Sequence, residues 1–200
     1  DEFLSDPYFA QYVGVAVVQV RLGVGDLQRL TQDSPLITFF ALKDAISRES
    51  DYADIAASVI ENWLSLEETK SQVFFSRLMC ALGILASIDS PIVLSLTEKF
   101  PLTDQHQPLF EARFRNGDFR AAINWLTEYP FEVNLGCREE LIEHVRRRWG
   151  DSLINYVVNV LESQNSASRE VSGALYLAGY LGEPTLAHAV RTAWDNTRPE

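Results

Sequence analysis

The sequence predicts an all-α protein, and three observations carry that expectation. Apolar residues recur along most of the chain with the spacing of an amphipathic helix rather than the alternation of a strand. Four polar–proline pairs, Asp6-Pro7, Ser34-Pro35, Ser90-Pro91 and Glu183-Pro184, have the form of helix starts, where the N–H that proline lacks has no helical partner anyway. The one Val-rich segment with the composition of a strand, 12–20, follows the Pro7 start and runs on through Arg21-Leu22 to Gly23. A buried helix accounts for it more economically.

Taken in order, the punctuation predicts twelve helices. Pro7 opens the first, 6–22, and Gly23 closes it; a short amphipathic helix, 26–32, lies between Gly25-Asp26 and Ser34. Pro35 opens 35–48, and Ser50-Asp51 precedes 52–64. The Ala- and Leu-rich stretch 66–87 ends at Asp89-Ser90, and 91–100 opens on Pro91. Helices 91–100 and 119–129 both stop before a proline, Pro101 and Pro130, because the residue ahead of proline is pushed out of the helical region. Helix 105–115 ends at Asn116-Gly117, and 138–149 and 152–162 are separated by Gly150-Asp151. Helix 166–181 stops at Gly182, and Pro184 opens 184–196. Connections of about two to six residues imply antiparallel neighbours. No linker divides the chain, so one domain, 1–200, is expected, with its weakest joints at 101–105 and in a loop at 130–137 that holds Cys137.

A two-residue polar turn recurs along this series at Gly25-Asp26, Ser50-Asp51, Asp89-Ser90, Gly117-Asp118, Gly150-Asp151 and Gly182-Glu183, at intervals of 25, 39, 28, 33 and 32 residues. One helical hairpin per unit at such a spacing is the sequence pattern of a stacked repeat array. The segments 81–91 and 174–184 also overlay at a constant offset of 93, with small and large apolar positions and the terminal proline coinciding.

At these residues the chain resembles HEAT-like repeats. The match is closest from Arg169 through Val171, Ala174-Leu175 and Leu181-Gly182-Glu183-Pro184 to Leu186 and Val190, with 78–94 a second match. Between them, Ala112 to Phe119 followed by Ala121-Ala122 resembles a tetratricopeptide-type hairpin. About half the chain carries the resemblance. The expected architecture is an irregular α-solenoid of antiparallel helical hairpins, with a compact helical bundle as the alternative. In an array each hairpin buries its apolar face against its neighbours and leaves long surfaces exposed. The resemblance therefore implies a scaffold or adaptor that binds another protein along such a surface, without identifying that partner.

Composition bounds the rest. With 46% hydrophobic and 22% charged residues the chain is globular rather than disordered. Its 17 Lys and Arg against 28 Asp and Glu give a formal charge of −11, so a phosphate backbone or an anionic bilayer should repel it, and no nucleic acid is expected as partner. Gly14 and Gln19 interrupt the longest apolar stretch, 12–20, which is far shorter than the roughly 20 residues of a membrane span, so no membrane association is expected. Cys80 and Cys137 form no Cys-x-x-Cys pair and no disulfide framework, which fits a reducing, cytoplasmic setting. Asp1-Glu2-Phe3-Leu4 lacks the cationic start of a signal peptide and suggests a fragment or a processed product.

Phosphate-loop, dinucleotide, nucleophile-elbow and His-Glu-x-x-His signatures are all missing. His106, His144 and His188 fall in no metal-ligand pattern, and the adjacent Glu143 and His144 point about 100° apart on a helix. No cofactor and no catalytic residue is expected. A subunit of an enzyme of the HEAT-like lyase type and a small-ligand regulatory domain stand as the alternatives. The local departure from acidity is Arg146-Arg147-Arg148, which with Arg113, Arg115 and Arg120 makes the middle of the chain nearly neutral: residues 101–150 hold 7 cations against 8 anions, whereas the first hundred hold 7 and 14. Arg146, Arg147, Arg148, Arg113 and Arg115 are the candidate partner-binding residues. Three readings compete: the consecutive arginines complement the C-terminal end of their helix, contact a protein or phospho-ligand, or contact nucleic acid, for which a strongly basic groove would be expected. Trp63, Trp125, Trp149 and Trp194 fall toward helix ends, where packing is expected and any indole left exposed would be an interface anchor.

Overall fold

A computed structural model describes residues 10, 13–14, 23–48, 52–66, 72–100, 106–129, 135–163 and 168–197. Among these residues there are ten α-helices, one 3₁₀ turn and no strand. Most of the expected first helix, including Asp6-Pro7, lies outside the described residues, as do Ser50-Asp51, Pro101 and Pro130; Ala10, Val13 and Gly14 are helical. The chain forms two compact units, Asp1–Pro101 and Leu102–Glu200. Their boundary falls at the 101–105 joint.

The first unit holds α1 (Val24–Asp33), α2 (Pro35–Arg48), α3 (Tyr52–Leu66), α4 (Gln72–Leu85) and α5 (Ile92–Thr97). Pro35 is the first residue of α2, as its lack of an N–H permits. Helix α1 packs on α2 and α3, α2 on α4, and α5 on α3. Ala10 joins Leu36 and Ile37 of α2 in a buried cluster. Trp63 sits in the core with Phe39 edge-on at 5.0 Å and Phe74 stacked at 5.7 Å. Ser90 is buried and its hydroxyl donates to Asp54 Oδ1 at 2.9 Å, so it ties the start of α5 to α3.

Two sequence expectations change here. Gly25-Asp26 is not a turn between helices: both residues lie in the first turn of α1, where the Asp26 carboxylate accepts from the Gly23 N–H at 3.3 Å. The overlay of 81–91 on 174–184 also breaks at the helix ends, because α4 stops at Leu85 whereas its counterpart continues to Leu181, three residues further in the alignment.

The second unit holds α6 (Gln107–Arg115), α7 (Phe119–Glu128), α8 (Leu135–Glu162), α9 (Ser168–Leu181), a 3₁₀ turn (Pro184–Leu186) and α10 (Ala187–Thr197). Helix α8 is two helical stretches joined at Gly150, whose φ of 41° and ψ of −116° break the helical geometry within one residue. Leu135 to Cys137, expected in a loop, are helical. Gly117, Gly150 and Gly182 all have positive φ, at intervals of 33 and 32 residues, and stand respectively between α6 and α7, within α8, and directly after α9.

The core of this unit is built from Ile123, Trp125, Val145, Leu153, Val157, Val171, Ala174, Leu177 and Leu186. Its closest helix contact joins α7 to α9. Gly173 of α9 lies on α7 so tightly that a Cβ there would come within 2.3 Å of the Ile123 carbonyl oxygen. The Thr127 hydroxyl lies 2.7 Å from that oxygen and 3.0 Å from the Arg169 carbonyl oxygen, spanning the two helices. Exposed ion pairs, Arg169 with Glu128 and Arg120 with Glu170 at 3.4 Å, flank the crossing; pairs this solvated add little to stability.

Candidate interaction surface

The first half of α8 carries the arginine cluster. Leu141 and Val145 face the core, one turn apart, which turns 146–148 outward and brings Trp149 back toward the protein. The Trp149 indole N–H donates to the Arg115 carbonyl oxygen at 3.2 Å, and its ring meets Phe119 edge-on at 6.0 Å. The Arg148 guanidinium lies 5.2 Å from the centre of the same ring. Trp149 thus brings Arg148 and the Arg115 backbone to one place, against the turn between α6 and α7.

The five candidate arginines have different surroundings. Arg113 clamps that turn: Nε donates to Asp118 Oδ2 at 2.8 Å and Nη2 lies 2.7 Å from the same oxygen, while Oδ1 accepts the Ala121 N–H at 3.3 Å as an N-cap. Arg146 pairs with Glu183, beyond the end of α9, and lies 3.7 Å from Glu143. Arg147 lies 3.4 Å from Glu143 but is 72% exposed, so water competes for that pair. Arg147 and Arg148 face solvent, whereas Arg113 and Arg146 are stitched into the fold.

The tryptophans divide more sharply. Trp63 and Trp125 are 3% and 4% exposed and Trp149 is half-buried. Trp125 stacks on Phe110 at 5.3 Å and against Tyr129 at 4.5 Å. Trp194 is 60% exposed. It belongs to α10, which turns Leu186, Ala189 and Ala193 into the core and His188, Arg191, Trp194 and Asp195 outward.

Two titratable groups are shifted. Burial pushes the Cys80 thiol up, against a smaller opposing pull from Lys43. Burial also raises Tyr156; Arg120 acts against that shift, and Asp118 and Glu170 add to it. Among the described residues, no group of three or more His, Cys, Asp or Glu side chains is placed to hold a metal ion, and no helix is long and apolar enough to cross a membrane. Comparison with protein-family models, with curated proteins and with solved structures finds no match to the chain.

Proposed function

We propose that this chain is a protein-interaction module whose partner, another protein, seats on the outward face of α10. The observation that carries the reading is the 60% exposure of Trp194 on α10. An indole contributes a large contact area with only two rotatable side-chain bonds, and tryptophan is enriched among the residues that dominate binding energy. Arg147 and Arg148, exposed on α8, fit a steering role rather than an anchoring one.

The architecture supports the same reading. We take the second unit as an irregular array of three HEAT-like hairpins. The packing of α7 on α9 departs from a one-dimensional stack, in which each repeat meets only its neighbours, and favours an array closed into a small bundle. Such a block offers outward helix faces as its contact surfaces. The half-buried Cys80, a free thiol whose protonated form burial favours, fits a reducing, cytoplasmic setting.

Affinity capture from the native cell extract tests the reading, using the full chain as bait. Trp194→Ala should reduce recovery of specifically bound protein about tenfold or more, since truncation of an anchor of this type costs upwards of about 2 kcal/mol. Neutralising Arg147 and Arg148 should weaken capture at low salt and leave it nearly unchanged at high salt. Recovery of the same proteins by the Trp194→Ala bait would remove the proposal.

A further inference from the structure

We propose that the occupant of this face is a second copy of the chain, in an isologous pair whose α10 helices cross antiparallel at the level of Ala193. The proposal rests on the reading of α10 as a docking face and supplies its partner. Positions 187, 188, 191, 194 and 195 form a continuous exposed stripe about 120° wide, since successive residues on a helix are about 100° apart. Within that stripe Arg191 and Asp195 stand one turn apart with opposite charge, and neither forms an ion pair with a described residue. Their order, base before acid, is the less favourable one for a pair within a helix. Both charges are therefore available to an opposing surface.

The arrangement is self-complementary. A two-fold axis that lies in the interface, perpendicular to the helices and level with Ala193, reverses the order along the helix and keeps each residue on the same side of it. Arg191 then opposes the partner's Asp195, and Asp195 opposes the partner's Arg191. Trp194 stands one residue, about 1.5 Å, from the axis level, so the two indoles meet beside it. An unrelated partner would need the reciprocal charge pattern around an apolar centre. A second copy carries it by symmetry. One helix from each side makes a contact smaller than the standard interface of about 1,600 Å², so the pair should associate weakly, in the micromolar range.

Sedimentation equilibrium of the full chain, over a series from micromolar to near-millimolar protein, tests the proposal. The wild-type chain should follow a monomer–dimer equilibrium. Trp194→Ala should weaken it about tenfold or more, and Arg191→Glu and Asp195→Arg should each do the same by placing like charges opposite one another. The double exchange, Arg191→Glu with Asp195→Arg, restores opposite charges across the axis and should return the constant to near the wild-type value. All three positions are exposed, and circular dichroism checks that each variant keeps its helices. A double exchange as weak as the single reversals would overturn the proposal, as would a dimer indifferent to Trp194. A chain monomeric throughout, whose Trp194 still governs capture of a different protein, overturns the second copy and leaves the docking face. A chain monomeric throughout, with no Trp194-dependent capture, overturns both.

Discussion

The indole of Trp149 fixes the conformation of a residue 32 positions away. Its ring covers Gly117, where φ is +98° and a Cβ would fall 2.8 Å from the ring, so the turn between α6 and α7 excludes any side chain on two separate grounds. The Asp118 carboxylate then closes the same turn by accepting from Arg113 and from the Ala121 N–H. Tyr156 shows how burial at one residue becomes a pH dependence. Its phenol is raised from the ordinary tyrosine value chiefly by burial, so the folded state favours the neutral form. The resulting stabilisation is fully present below the unfolded value, near pH 10, and is lost as pH rises through the higher folded value. Tyr156→Phe should therefore change stability by no more than about 0.5 kcal/mol at pH 7 and lose less stability than the wild type above about pH 10. Denaturant midpoints for both proteins at the two pH values decide this. Parallel curves would contradict it.

At the scale of elements, two glycines of α9 make opposite predictions. Gly173 is buried with the Ile123 carbonyl in the space of its missing Cβ, whereas a Cβ on the exposed Gly179 would meet nothing within 4 Å. Gly173→Ala forces the α7–α9 crossing apart and should cost about 1–3 kcal/mol, offset in part by better helix propensity. Gly179→Ala carries the propensity gain without the clash and should stabilise by about 0.5–1 kcal/mol. Thermal or denaturant unfolding of the two variants measures the contrast; equal effects of one sign would show that the crossing is looser than described. The elements were legible where the sequence forces backbone geometry. Gly117, Gly150 and Gly182 each end a helix in front of an acidic residue, and all three adopt positive φ. The same dipeptide misleads at Gly25-Asp26, because an aspartate at the third helical position caps backwards to Gly23 instead of closing a turn. Pro108, in the first turn of α6, is a further start signal in the sequence, since its missing N–H has no helical partner there. At Gly150 one residue of positive φ breaks the helical geometry, and the expected pair of helices adjoins it on both sides with no intervening loop.

At the scale of the whole molecule, the chain is two compact helical units, and the proposed site lies in the second. The arginine cluster was visible as composition, but composition does not distribute partners. Asp118 and Glu183 engage Arg113 and Arg146, Glu143 lies 3.4 Å from Arg147, and the Trp149 ring lies beside Arg148. Trp194 was legible as a helix-end tryptophan and expected to pack. The signal for its exposure lies in Leu186, Ala189 and Ala193, whose spacing defines the inward face and places the next residue about 100° away from it. The proposed function requires a protein to sit on that outward face. Photo-crosslinking tests this most directly, with benzoylphenylalanine placed at His188 in the full chain, beside an intact Trp194, and at the exposed Glu162 of α8 as the control. Protein adducts should form from position 188, disappear when Trp194→Ala is added, and be absent from position 162. Adducts that persist without Trp194, or that form equally from both positions, would contradict the account.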